Sequence, residues 1–213
     1  ALGRIFGCLR ENDLFKNTWI IFTADHGEML GDHHMSQKNL FFEGSAHVPL
    51  LIMPPQGRSL PQNISVEAPT DLVDLYPTIL AMAGLSSPVS VSGRNLLEPV
   101  PMDRIFFGNS LNRNFCVMEE KVKLVYSAVG DHVLLFDLNT DPMEQHNLAE
   151  DPAWQERKAK LWKLLLEHTA QYTPEALDEK GQFLTYEAPH FPGDVPGRWF
   201  GFHYHDYSVD TFH

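Results

Sequence analysis

Cysteine is scarce in this chain: two residues, Cys8 and Cys116, among 213. Two thiols so far apart make no disulfide framework and leave the redox compartment open. Both are expected as buried small hydrophobes rather than ligands or a bridge. Basic charge is short as well. Sixteen Lys and Arg face 28 Asp and Glu, a formal net charge of −12. That balance excludes a broad nucleic-acid-binding surface and repels a polyanionic glycan on average. An anion site must therefore be local, built from a metal and a few cationic side chains. The dense basic positions, Lys121, Lys123, Lys158, Lys160 and Lys163, read as a solvated face. No apolar run approaches the length of a membrane span, so neither nucleic acid nor membrane is expected as a partner. No internal repeat is present.

What is there begins with a short apolar run. Trp19-Ile-Ile-Phe22 is β-branched and aromatic, the pattern of a fully buried strand, and it stops at Asp25-His26-Gly27. A carboxylate and an imidazole thus stand where a strand gives way to a loop, and the carboxyl ends of strands in open α/β sheets are where ligands bind. A loop turn lifts the alternation of a strand, so both side chains can face one cation. A helix over 1–13, strands at 18–23 and 48–53, and a helix over 71–83 give an α/β layout at the edge of a mostly parallel sheet. Thr70 is placed to cap that last helix and Gly84 to stop it. Pro99 and Pro101 mark a linker. Beyond it, 105–108, 115–119, 121–127 and 132–138 read as an antiparallel meander. Asp151-Pro152 opens a helix with Trp154, Leu161, Leu165 and His168 on one stripe.

The segment Thr18-Trp-Ile-Ile-Phe-Thr-Ala-Asp-His-Gly-Glu, then Gly31-Asp-His-His, Lys38 and Phe42-Glu-Gly-Ser-Ala-His-Val-Pro-Leu, resembles the sulfatase family of the alkaline-phosphatase superfamily. Asp71-Leu-Val-Asp-Leu-Tyr-Pro-Thr, Ser92-Gly-Arg-Asn-Leu-Leu and Leu135-Phe-Asp-Leu with Asp141-Pro-Met-Glu-Gln-His-Asn-Leu follow in the family's order. The resemblance implies an α/β fold: residues 1–101 as the C-terminal portion of a mostly parallel-sheet catalytic domain. A small α+β subdomain, 102–172, with an antiparallel sheet and one long helix follows, and an ordered tail at 173–213. The family's Cys/Ser-x-Pro-x-Arg nucleophile motif is not among these residues. Neither Gly7-Cys8-Leu-Arg nor Phe115-Cys116-Val-Met fits it. Nor is there an Asp-Asp pair to complete a metal site. The chain is therefore expected to be the C-terminal part of a larger enzyme, inactive without the N-terminal part. By family analogy that enzyme is periplasmic or secreted.

The resemblance implies metal ligation by Asp25 and His26. Relatives often carry Asn where His26 stands. Calcium is the expected divalent metal, with manganese or magnesium as alternatives, since an imidazole ligand is less typical of calcium. The resemblance also makes Lys38, thirteen residues beyond Asp25, the expected catalytic and substrate-binding cation, donating to a sulfate oxygen. His34 is a further substrate-binding candidate at the pocket mouth. His47, where relatives have Arg, is expected to bond Glu43 in a structural role. Asp71 and Asp74 are expected as helix N-terminal carboxylates, and Asn112 and Arg113 in a turn. His203, His205 and Asp206 cluster in the tail without a fourth ligand. The function implied is sulfuric ester hydrolysis by a formylglycine nucleophile outside the chain, on an aryl or sugar sulfate. The alternatives are a phosphonate monoester or phosphodiester hydrolase of the same superfamily, and a non-catalytic module that binds anions or a partner.

Overall fold

The computed structural model describes residues 1–35, 38, 40–58 and 64–187, the side chain of His34 excepted. In chain order the elements are α1 (Leu2–Glu11), β1 (Ile20–Thr23), α2 (Glu43–Ala46), β2 (Leu50–Met53), α3 (Leu75–Met82), β3 (Phe106–Ser110), β4 (Asn114–Glu119), β5 (Val122–Ser127), β6 (His132–Asp137) and α4 (Gln155–Tyr172). They divide between two compact units. Residues 1–25 and 48–102 make the first, 26–47 and 103–213 the second. The chain passes from one to the other between Asp25 and His26. The sequence assigns 26–47 to the portion before residue 102. In the structure this segment joins the second unit because Met29, Met35, Leu40 and Phe42 pack on Cys116, Val125, Leu134 and Phe136 of its sheet. No apolar pattern within 26–47 announces that partner.

In the first unit, β1 and β2 pair antiparallel, with Ile21 opposite Ile52 and Phe22 opposite Leu51. The sequence expects the edge of a mostly parallel sheet, and an antiparallel edge pair is a common companion of such sheets. The β1 run is less buried than its composition predicts. Phe22, Leu51 and Met53 stay 42%, 59% and 40% exposed, because none of the described residues covers that apolar surface. Cys8, on α1, is exposed rather than buried. The cap of the 72–82 helical stretch is Asp71, not Thr70. Its side chain accepts from the Val73 N–H while Asp74 Oδ2 accepts from the Asp71 N–H at 2.9 Å, a reciprocal capping box. The spacing from Asp71 to Asp74 supplies both partners, which Thr70 lacks. Buried Asp74 also takes the Arg94 N–H at 2.8 Å, and buried Thr78 takes that of Leu96 at 2.9 Å. These bonds fasten the Ser92-Gly93-Arg94 turn to the helix. A Cβ on Gly93 would lie 2.1 Å from the Val73 carbonyl oxygen, so only glycine fits.

The second unit holds both hydrophobic clusters. Its sheet is the expected meander, β3-β4-β5-β6, antiparallel throughout. Period-two alternation and tight turns are local signals. The turn residues Leu111, Asn112, Glu120, Lys121 and Asp131 all take positive φ. Asp151 caps the long helix through the Ala153 N–H at 2.8 Å with Pro152 in its first turn. α4 lays Leu161, Leu165 and Thr169 into the core of the sheet. After α4, Phe183 enters the same core against Phe115, Tyr126 and Trp162, and Tyr186 bridges Val129. The tail from 188 on lies outside the described residues, with His203, His205 and Asp206.

His168 stacks on Phe107 with ring centroids 3.9 Å apart, and desolvation holds its imidazole below the usual 6.5. The unfolded chain therefore takes up the proton first. Stability should be lost as pH falls through 6.5 towards the lower folded value. His168→Phe keeps the stack without titrating, so its thermal midpoint should change less than the parent's between pH 7.5 and 5.5.

Candidate active site

Asp25 follows β1 by two residues and is exposed at the end of the first unit. The rest of the candidate set is in the second unit. The half-buried His26 has Nδ1 2.8 Å from the Gly27 carbonyl oxygen. A carbonyl only accepts, so Nδ1 carries the hydrogen in this bond and the lone pair falls on Nε2. In the neutral ring that is the tautomer for ligation through Nε2 rather than Nδ1. Gly27 donates its N–H to the Ser45 carbonyl at 2.7 Å, and Glu28 to that of Gly44 at 2.9 Å. The segment that follows His26 is thereby strapped to α2. The strap explains the glycine, since a Cβ at position 27 would stand 2.1 Å from the Gly44 carbonyl oxygen.

The backbone then turns back through Leu30, Gly31 and His33, all at positive φ. The His33 ring stacks on Phe42 with centroids 4.1 Å apart, which makes it an anchor of the loop. Met29 and Met35 are buried beneath. Lys38 is exposed, and its carbonyl oxygen accepts the Ser45 hydroxyl. Ser45, 2% exposed, is therefore the junction: its carbonyl holds the Gly27 amide and its hydroxyl holds the Lys38 backbone. The structure so brings the carriers of His26 and Lys38 onto one turn of helix. Ser45 stands in the Glu-Gly-Ser run that carries the resemblance, yet no residue chemistry in sequence marks it.

His34 contributes backbone to the short helical turn Asp32–His34, and its side chain lies outside the described residues. His47 Nδ1 is 2.8 Å from Glu43 Oε2. Asn112 bonds Asn109 and Glu175, and Arg113 lies over the Tyr186 ring at 4.9 Å. Among the described residues no three His, Cys, Asp or Glu side chains group to hold a metal ion. One basic residue departs from expectation. Lys123 is no part of a solvated face: it is 3% exposed and paired with Glu43 and Glu144. Lys160 and Lys163 do make surface pairs, with Glu119 and Glu167.

Gly27→Ala should be costly for its size. The added methyl meets backbone rather than a movable side chain, so relief means breaking the strap. A loss of about 1–3 kcal/mol is expected from such overpacking, read as a lower thermal midpoint. Gly44→Ala, where the nearest atom is the Met29 sulfur at 3.5 Å, should cost less.

The fold is that of hydrolases acting on sulfate and phosphonate esters. The phosphonate monoester hydrolase of Agrobacterium radiobacter superposes with a TM-score of 0.65 at 32% identity, over 84% of this chain and 41% of that one. Within that class, residues 1–85 match the sequence profile of the sulfatase family. Arylsulfatase K of Xenopus laevis is 34% identical over 168 residues, 70% of this chain and 31% of the relative. The uncharacterized sulfatase YidJ of Escherichia coli K12 is 31% identical over 179 residues, 78% of this chain and 35% of the relative. The chain spans about a third of the length of these curated relatives.

Proposed function

We propose that the full-length protein containing these residues hydrolyses a sulfate ester of an aryl or sugar alcohol with the help of a divalent metal, calcium first and manganese or magnesium as alternatives. The observation that carries this reading is the Ser45 junction, which ties Gly27, next to His26, and the Lys38 backbone to one helical turn. The residues suit a metal. Asp25 offers an exposed carboxylate, and the hydrogen bond from His26 Nδ1 to Gly27 sets the tautomer for ligation through Nε2. When bound, the metal supplies positive charge against the charge that builds on the transferring group. Lys38 supplies a compact ammonium to the sulfate oxygens, and His34 borders the substrate. The remaining metal carboxylates and the formylglycine nucleophile come from sequence outside these 213 residues.

Mass spectrometry of the full-length protein tests the nucleophile. A Cys/Ser-x-Pro-x-Arg peptide carrying formylglycine is expected. An active preparation in which that residue is unmodified, or the motif lacking altogether, would contradict the reading. A second reading, phosphonate monoester hydrolysis, is favoured by the 32% identity to the Agrobacterium enzyme. The Glu-Gly-Ser-Ala-His-Val-Pro-Leu run and the Asp-Pro-x-Glu-x-x-Asn-Leu signature support sulfatase over it. A non-catalytic module would retain the shell and lack turnover on either ester.

A further inference from the structure

Lys123, on β5, lies inside the second unit, where a lone ammonium would be costly. Its three N–H groups have three acceptors: the Phe41 carbonyl at 2.8 Å, Glu144 Oε1 at 2.9 Å, and Glu43 Oε1. Glu144, also 3% exposed, uses its other oxygen to take the Glu43 N–H at 2.7 Å. His47 faces the second oxygen of Glu43. Burial alone would lower the Lys123 ammonium, but the negative groups around it hold it above its ordinary value. The adjacent Cys116 thiol is pushed up to about 12, chiefly by burial. Glu144 holds this place with a left-handed φ of 55°, a conformation that L residues other than glycine seldom adopt.

A buried ion pair is a weak source of stability, since an apolar replacement often does as well. What it supplies is direction. The apolar contacts of Phe42 with Phe136 hold 26–47 to the sheet without fixing its register. Hydrogen bonds to the first residue of α2 do fix it, and α2 carries the carbonyls and hydroxyl that hold Gly27, Glu28 and Lys38. We propose that Lys123, Glu144 and Glu43 form a positioning cluster that locks α2 onto the sheet and thereby keeps His26 and Lys38 in register. Only the catalytic consequence of this lock rests on the sulfatase reading.

The test compares Glu144→Gln with Leu165→Ala in the full-length protein. Glutamine puts a carbonyl oxygen in one of the two carboxylate positions and an N–H₂ in the other, so its N–H₂ must face either the Lys123 ammonium or the Glu43 N–H, donor against donor. Amide hydrogen exchange should quicken at Gly27, Glu28, Glu43 and Ser45 while the β4 and β5 amides stay protected. With an aryl sulfate, kcat should fall up to about 100-fold, the scale of a small misplacement, with KM changed less than about threefold. Leu165→Ala, a core cavity remote from the cluster, should lower the thermal midpoint without that kcat loss or that local exchange. Unchanged exchange in 26–47, equal kcat losses in both variants, or loosened exchange with parental kcat would each overturn the proposal. Should Glu144→Gln not fold, the unmodified protein still decides. Its Gly27 and Glu28 amides must be protected as strongly as the β4 and β5 amides, and independent opening of 26–47 would refute the lock. Loosened exchange in a protein whose parent turns over no sulfate ester upholds the lock and fails the sulfatase reading instead.

Discussion

Asp25→Ala in the full-length protein should abolish metal-dependent turnover while leaving the thermal midpoint of the metal-free protein nearly unchanged. The two halves of that result have separate causes. Asp25 is exposed beyond the end of β1, so its removal forfeits little packing, and exposed substitutions cost about 0.5 kcal/mol or less. Its proposed work is electrostatic, as an anionic ligand to a divalent cation, and no neighbouring water replaces that charge. Steady-state kinetics and metal content after dialysis, measured on the same preparation, check both halves. Parental activity would remove Asp25 from the site. His26→Asn should be milder, because an amide oxygen remains a competent ligand for a hard cation such as calcium. Loss of metal uptake in that variant would point to a metal that prefers nitrogen.

Lys38→Ala should lower kcat by about 100- to 1,000-fold, the loss typical of one donor aimed at a developing oxyanion. The side chain is exposed and its own backbone carbonyl, not its ammonium, is what Ser45 holds. The loop should therefore keep its shape when the ammonium is removed, and the thermal midpoint should move little. A Lys38→Arg variant retains charge but not the compact point donor, so it should recover only part of the loss. Near-parental kinetics for Lys38→Ala would make it an ordinary surface lysine.

The meander, the long helix and its Asp151-Pro152 start were legible because each is written in a few neighbouring residues. So was the Asp-His-Gly turn at a strand end, and its glycine has a concrete reason in the Gly44 carbonyl. What the chain's linear order hid was non-local. Lys123 reads as one of several scattered lysines until the sheet places it beside Glu43, 80 residues away, and Glu144, 21 residues away. The Glu of the Asp-Pro-x-Glu-x-x-Asn-Leu signature was the available clue, a carboxylate in a run that also carries Asn147. That asparagine's oxygen takes the Leu135 and Ala149 N–H groups at 2.9 and 3.0 Å. The exposure of β1 was hidden for a different reason. An apolar run reports that a surface needs cover, not whether the cover lies within the same stretch of chain.

The measurement that bears most directly on the function is kcat/KM of the full-length, metal-loaded protein for an aryl sulfate and for the matching aryl phosphonate monoester, assayed side by side. The sulfatase reading predicts the higher value for the sulfate ester, with turnover lost in the Asp25→Ala variant. A higher value for the phosphonate monoester, or no turnover of either ester, would contradict it.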